Sequence, residues 1–327
     1  MLWWLPSFAH ATVCGGWAPT EIEAEVADAT AESSGLAPAH ERPGVWYTHG
    51  DHGTATELLA FTLDGDLLER HAYKNFDPFD AEDVADAPCP DEGRCLWVAD
   101  IGDNDLERDG IGLSILREPV EDADPVSPMA AWTGVWPDGP VDAEALLVHP
   151  CSGDVYVVTK EYAQARVYRW PAPSDEAPTT LVLVATLDLE GDGVTGADWD
   201  ADGERVVLRT ATQVYGWVTD PDDPEAHWID APTALSSTEL LDGEAVAFDP
   251  DSGDIVLTSE GDPMPVARIR CVNPTPAVGQ CTFPQTGPAG CCGDGRADGG
   301  GLLALLLSAI GVRAGRSSLR DRRLASR

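Results

Sequence analysis

Two short segments gather side chains of the types and spacing that proton transfer or metal chemistry uses. THGDHG (residues 48–53) sets His49 and His52 around Asp51. A histidine oriented by a carboxylate can accept a proton from a metal-bound water or during attack on an ester. The same six residues equally suit a solvated turn. WVADIGDN (97–104) begins as an alternating apolar strand and stops at Asp100, Asp103 and Asn104. Such oxygen donors make a turn, a ligand rim, or a cup for Ca2+, a hard ion that takes about six to eight oxygens. Other catalytic templates are missing: no G-x-S-x-G, HExxH or phosphate-binding loop occurs. DWDADGERVVLR (198–209) imitates the opening of an EF-hand, but it places Arg209 where a bidentate glutamate is required. It reads as a hairpin turn.

What must position these groups is a set of short strands. Gly (32) and Pro (26) interrupt every long helical pattern, and apolar residues alternate in short runs, which reads as all-β. Five segments share one plan: residues 31–51, 80–103, 142–161, 194–212 and 242–262. Each has an acidic residue, a short apolar strand, a turn, and a stronger apolar strand ending in polar groups. The acidic anchors Glu32, Glu82, Glu144, Asp198 and Glu244 are 50, 62, 54 and 46 residues apart. A unit of roughly 50 residues matches a four-stranded propeller blade. Third and fourth strands are visible in pairs such as ELLAFTL with LLERHAY. The expected architecture is a β-propeller of five blades, with TEIEAEVADA (20–29) closing the ring as the outer strand of the last blade. Six blades are the alternative if that segment belongs to another sheet.

In a propeller the first strand of each blade lines the channel and the second runs back beside it. The five anchors are therefore expected on one face, together with the groups that end the second strands. Those are His49, Asp51 and His52; Asp100, Asp103 and Asn104; Lys160 and Glu161; Arg209; and Glu260. Metal ligation is assigned to Glu32, Glu82, Asp100, Asp103, Asn104, Glu144, Asp198 and Glu244. Ligand contact is assigned to Lys160, Glu161, Arg209 and Glu260, and chemistry to His49, Asp51 and His52. Crowded carboxylates raise one another's pKa unless a cation neutralises them. Ca2+ is one such cation; Lys160 and Arg209 as built-in counterions are the other. Most of the 11 tryptophans, such as Trp97, Trp170 and Trp217, fall within strand patterns and read as core.

Composition narrows the partners. Residues 1–290 carry 13 basic against 54 acidic side chains, a net of −41. Such a surface repels phosphate backbones, so nucleic acid is not an expected partner. It attracts cations, although solubility alone also explains high charge. Among the eight cysteines, Cys89 with Cys95 and Cys271 with Cys281 close short turn-rich loops and are expected as local disulfides. Cys14 and Cys151 remain as a long-range pair. MLWWLPSFAHA reads as the remnant of a signal peptide (1–13), which leaves 14–290 for the propeller. Residues 291–327 hold Cys291 and Cys292, the apolar run GLLALLLSAIGV and an Arg-rich end. That run is short for a bilayer span.

Taken in order, SGL after Glu32, DAEDVA, WVADIGDN, DAEALL, YVVTKE, VTGAD and GEAVAFDP resemble an uncharacterised family of secreted bacterial β-propellers. More remotely the plan is similar to phytase-like and gluconolactonase-like propellers. In those, carboxylates and amides at the channel mouth hold calcium, and a histidine assists ester hydrolysis. The resemblance implies site roles for Glu32, Glu82, Glu144, Glu244, Asp103 and Asn104. One departure is HGDHG, where relatives often show H-N-D-S-G; Gly50 removes an amide and His52 adds a base. The tail resembles a myxobacterial-type C-terminal sorting signal, which implies export and membrane contact through the tail alone. The expected function is a secreted or cell-surface monomer that binds a ligand or partner at an acidic channel mouth, with Ca2+ as a possible cofactor. A calcium-dependent esterase, lactonase or phosphoesterase on the same face is the alternative, and a purely structural propeller is a third reading.

Overall fold

Alternating strands bounded by tight turns fold here into five antiparallel sheets. The computed structural model describes residues 12–120, 125–162, 164–171, 177–189, 193–237 and 242–276. All of these fall in one compact unit, Met1–Thr286. Blade 1 contains Ser33–Pro38, Val45–Gly50, Glu57–Thr62 and Leu67–Ala72. Blade 2 contains Ala81–Pro88, Arg94–Asp100, Ile111–Arg117 and Pro128–Val135, with Thr179–Thr180 added parallel at its edge. Blade 3 contains Ala143–Val148, Val155–Thr159, Gln164–Trp170 and Val182–Asp188, and blade 4 Val194–Trp199, Arg205–Thr210, Gln213–Val218 and Thr233–Ser237. Blade 5 contains Gly243–Phe248, Ile255–Ser259 and Met264–Ile269, and it borrows Glu21–Val26 as its fourth strand. The N-terminal segment thus closes the ring as expected. Each inner strand packs on the next, and the fifth packs on the first, so the ring is complete with five blades.

Sequence alternation explains the packing. Side chains of a strand point alternately to its two faces, and each sheet here is covered on both sides by its neighbours. Among the described residues the core accordingly divides into five clusters, one in each seam between adjacent blades. Trp97 and Trp170 sit in one and Trp217 in another, as core rather than as a binding surface. The hairpins joining first to second strands repeat as well. Gly153, Gly203 and Gly253 adopt φ of +75°, +71° and +72°, the left-handed region a side chain disfavours. Within the EF-hand lookalike, Asp200 Oδ1 accepts the N–H groups of Glu204 (2.8 Å) and Arg205 (3.1 Å), which makes it a turn.

The disulfides follow the sequence in one case and correct it in another. Cys89 and Cys95 are bonded across the blade 2 hairpin. Cys271 bonds to Cys14, not to Cys281, so neither the Cys271–Cys281 pair nor a Cys14–Cys151 pair forms. The reason is the ring closure: Gly16–Trp17 pairs with Cys271–Val272 and Thr12–Val13 with Thr275–Pro276, which brings positions 14 and 271 face to face. Cys151 is itself disulfide-bonded. Cys281 and the tail from residue 291 lie outside the described residues. No helix among the described residues is long and apolar enough to cross a membrane.

Candidate functional site

One backbone bond fixes the level at which four of the inner strands begin. The residue just before the strand accepts an N–H from a residue one or two past the second strand. Glu32 accepts from Asp51 (2.9 Å), Asp80 from Gly102 (3.1 Å), Asp142 from Lys160 (3.0 Å) and Asp242 from Glu260 (3.2 Å). Two residues on, the ladder shifts register in every blade. An extra residue in a ladder bends the strand and re-aims its side chain. The positions so presented are Ser34, Glu82, Glu144, Thr195 and Glu244. The repeated signal is therefore D-x-E in blades 2, 3 and 5, replaced by E-x-S in blade 1 and G-x-T in blade 4.

This register corrects two anchors. Glu32 is equivalent to the aspartates of D-x-E and is exposed. Asp198 lies three residues beyond Thr195, toward the opposite end of the channel, near Asp86 and Asp200. There Asp198 accepts the N–H groups of Trp199 and, in blade 5, Phe248, both at 2.8 Å. A similar role falls to Asp83, which is fully buried and accepts N–H groups from Val84 (2.8 Å), Leu146 of blade 3 (2.8 Å) and Ala197 of blade 4 (3.4 Å). Because blades 2 and 4 are not neighbours, that carboxylate bridges across the channel axis.

At the mouth where the inner strands begin, charge is distributed unevenly. Blade 3 contributes Glu144 and its partner Lys160, whose ammonium touches Glu144 Oε1. Blade 4 contributes no charged side chain at the equivalent positions Gly193, Thr195 and Ala211, but its Arg209 reaches toward Glu244. Blades 1 and 2 supply Asp51, Asp80 and Glu82, whose ligand oxygens all lie within 4.8 Å of one another. His52 stands beside them, with Nδ1 3.1 Å from Asp80 Oδ1. Glu82 is 2% exposed, and its Oε1 has no hydrogen-bond partner; Ser34 Oγ donates to the Glu82 backbone carbonyl (2.6 Å) and, of the two carboxylate oxygens, lies near Oε2 at 3.4 Å. The loop after WVADI closes over this cup through Gly102, where a Cβ would collide with Glu82 Oε1 and Asp80 Oδ2.

The remaining expected site residues have other surroundings. His49 is fully buried, with Nδ1 2.9 Å from the Gly50 carbonyl oxygen, and burial lowers its pKa; it stands behind the mouth rather than on it. Arg209 is likewise fully buried. It donates to the carbonyls of Ala245 (2.9 Å) and Thr258 and to Ser259 Oγ (2.9 Å), spanning blades 4 and 5. Asp100 accepts the Asp80 N–H (3.0 Å) and pairs with Arg108 (2.8 Å), so it braces the cup from outside. Asp103 accepts the N–H groups of Glu107 (2.9 Å) and Arg108 (3.0 Å), as the cap of a turn, while Asn104 is exposed. Glu161 is engaged by Thr159 Oγ1 (2.9 Å) and Arg166 Nε (2.6 Å). Glu260 is only partly buried and faces Asp242, Asp51 and Glu32. Asp80, Asp142 and Asp242 lie outside the sequence assignment although D-x-E opens the inner strand in three of the five units, because aligning the glutamates with the lone acids of units 1 and 4 hides the aspartates.

The electrostatics follow from burial and crowding. Burial, with Asp51 adding and His52 opposing, raises Asp80 to about 6. Glu82 is pushed well above the ordinary carboxylate range by burial, then by Glu144, Asp51 and Asp80. Glu144 and Glu244 are each raised to about 8 by burial, and Lys160 offsets part of this. For Lys160 burial opposes the charge, but Glu144 in contact and Glu82 behind it hold the ammonium's pKa above its usual value. Burial lowers Arg209 to about 10, with Glu244 opposing. Among the described residues, one half of the mouth thus carries its cations in contact with its carboxylates, and the other half has only the more distant Lys160 acting on Glu82. Three convergent carboxylates, all oxygen donors and one of them orphaned, fit a hard divalent ion. They offer nothing soft that would select zinc or copper. Compared with known proteins, the chain matches no family model and no curated sequence.

Proposed function

We propose that this protein acts outside the cell as a binding module whose channel mouth takes a divalent cation, Ca2+ by its donor set, and through that ion an external ligand. The observation that carries this reading is Glu82 Oε1, buried and without a hydrogen-bond partner, on a carboxylate that converges with those of Asp51 and Asp80. Leaving a buried carboxylate oxygen unsatisfied is costly. A cation removes that cost and the mutual repulsion together. Asp51, Asp80 and Glu82 would hold the ion, and the closeness of Gly102 gives the cup its wall. The bound ion would supply a Lewis-acidic point to which ligand oxygens coordinate. Disulfides are compatible with the oxidising environment of a secreted protein.

Calcium titrated calorimetrically into EDTA-treated protein should bind at one site, weakened about a hundredfold in Glu82→Gln. Equal heats in wild type and variant would place the ion elsewhere. His52 favours a second reading, a cation-dependent esterase or lactonase. Its Nδ1 is held by Asp80, which is 2% exposed, while its own side chain is 55% exposed. That is how a general base is oriented with its other nitrogen toward substrate. Turnover of esters or lactones lost in His52→Ala would establish the enzyme; a flat panel leaves the binding module.

A further inference from the structure

Beside the cup stands an aromatic ring that the structure holds in place yet leaves uncovered. Phe79 is 58% exposed. The His52 ring meets it edge-on, with centroids 5.0 Å apart and planes at 83°. The Arg108 guanidinium lies 5.3 Å from its centroid. Both neighbours lead back to the same carboxylate. His52 Nδ1 is 3.1 Å from Asp80 Oδ1, and Arg108 pairs at 2.8 Å with Asp100, which accepts the Asp80 N–H at 3.0 Å. Arg108 also donates to the carbonyls of Gly102 (2.5 Å) and Asp100 (3.2 Å). Phe79, His52, Asp80, Asp100 and Arg108 thus form a closed circuit that fixes the ring next to the cation cup. A single exposed apolar side chain is ordinary. One braced on two sides by groups that also build a site is a platform.

Resting on the reading of the mouth as a Ca2+ site, we propose that its ligand is a neutral pyranoside with vicinal hydroxyls, part of a glycan. Two adjacent hydroxyls can displace water from a hard ion, and the C–H face of the sugar ring can lie on the apolar face of Phe79. Charge excludes the acidic relatives of such a ligand. With one divalent ion bound, Asp51, Asp80 and Glu82 together still outnumber its two charges, so sulfated, phosphorylated and uronic sugars would meet net repulsion at the cup.

The test uses the full chain and methyl pyranosides of mannose, galactose and glucose configuration, with glucuronate and a simple alkylamine as contrasts. Binding is followed by calorimetry or ligand-observed NMR in calcium and in EDTA. At least one neutral pyranoside should bind in calcium and lose binding in EDTA. Phe79→Ala should weaken the sugar about tenfold while Ca2+ affinity stays within about twofold, and Phe79→Trp should preserve sugar binding. Calcium binding with no neutral sugar bound, or a sugar affinity indifferent to Phe79→Ala, overturns the ligand assignment and leaves the cation site standing. Amine binding that persists in EDTA overturns it in favour of a cationic ligand. Absence of calcium binding overturns both readings.

Discussion

The two ends of the channel use the same residue types in opposite ways. At the far end, where the inner strands finish, carboxylates are matched with arginines or, for Asp198, with backbone N–H groups. Asp86 pairs with Arg94 (2.8 Å), Asp200 with Arg205 (2.8 Å), and Asp249 and Asp254 with Arg268 (3.0 Å each). These acids also tie down backbone: Asp254 Oδ1 accepts the Cys271 N–H at 2.7 Å, beside the disulfide to Cys14. At the near end, Asp51, Asp80 and Glu82 converge with His52 beside them and no arginine or lysine paired to them among the described residues. Charge that is compensated within the fold holds blades together. Charge left in surplus is available to something from outside, and it costs stability while that partner is absent.

This contrast predicts effects of different size and sign. The largest belongs to the far end: Arg205→Ala strands Asp200, which is 3% exposed, and should cost about 3–5 kcal/mol in denaturant titration. Next is a pH effect at the near end. Folding raises Glu244 from 4.5 to about 8, so between those values the folded chain holds a proton that the unfolded chain has released. Without calcium, the stability this contributes is fully present below about pH 4.5 and is lost as pH rises toward 8, on the order of 3 kcal/mol. Glu244→Gln should flatten that slope; an unchanged slope would show that the carboxyl group is not the source. Smallest is a pair of matched swaps in calcium-free buffer. Glu82→Gln should stabilise by about 1 kcal/mol through relief of repulsion, whereas Asp200→Asn should destabilise. The same sign for both would erase the distinction between the two ends.

The architecture was legible because it rests on period-two alternation and a unit repeated about every 50 residues, both visible in one dimension. The turn glycines Gly153, Gly203 and Gly253, and the closing role of residues 20–29, belong to the same class of local signal. The site was legible only in part. Glu82, Glu144 and Glu244 stand where spacing put them, but Asp198 was drawn into the set by its acidity alone, and Thr195 holds its place in the ladder. Burial was the harder quantity: nothing in THGDHG or in VLRTAT tells that His49 and Arg209 point between blades while His52 faces outward. Which face a strand residue takes after a bulge depends on register, and register is a property of the partner strand. The Cys14–Cys271 bond was hidden for a similar reason, since its geometry exists only once the ring has closed.

One detail of the axis shapes how the mouth can operate. Asp83, reaching from blade 2 to the backbone of blades 3 and 4, acts as a crossbar partway down the bore. The spacing of the inner strands that carry Glu82, Glu144 and Thr195 is thereby set from within the bore as well as by the seams between blades.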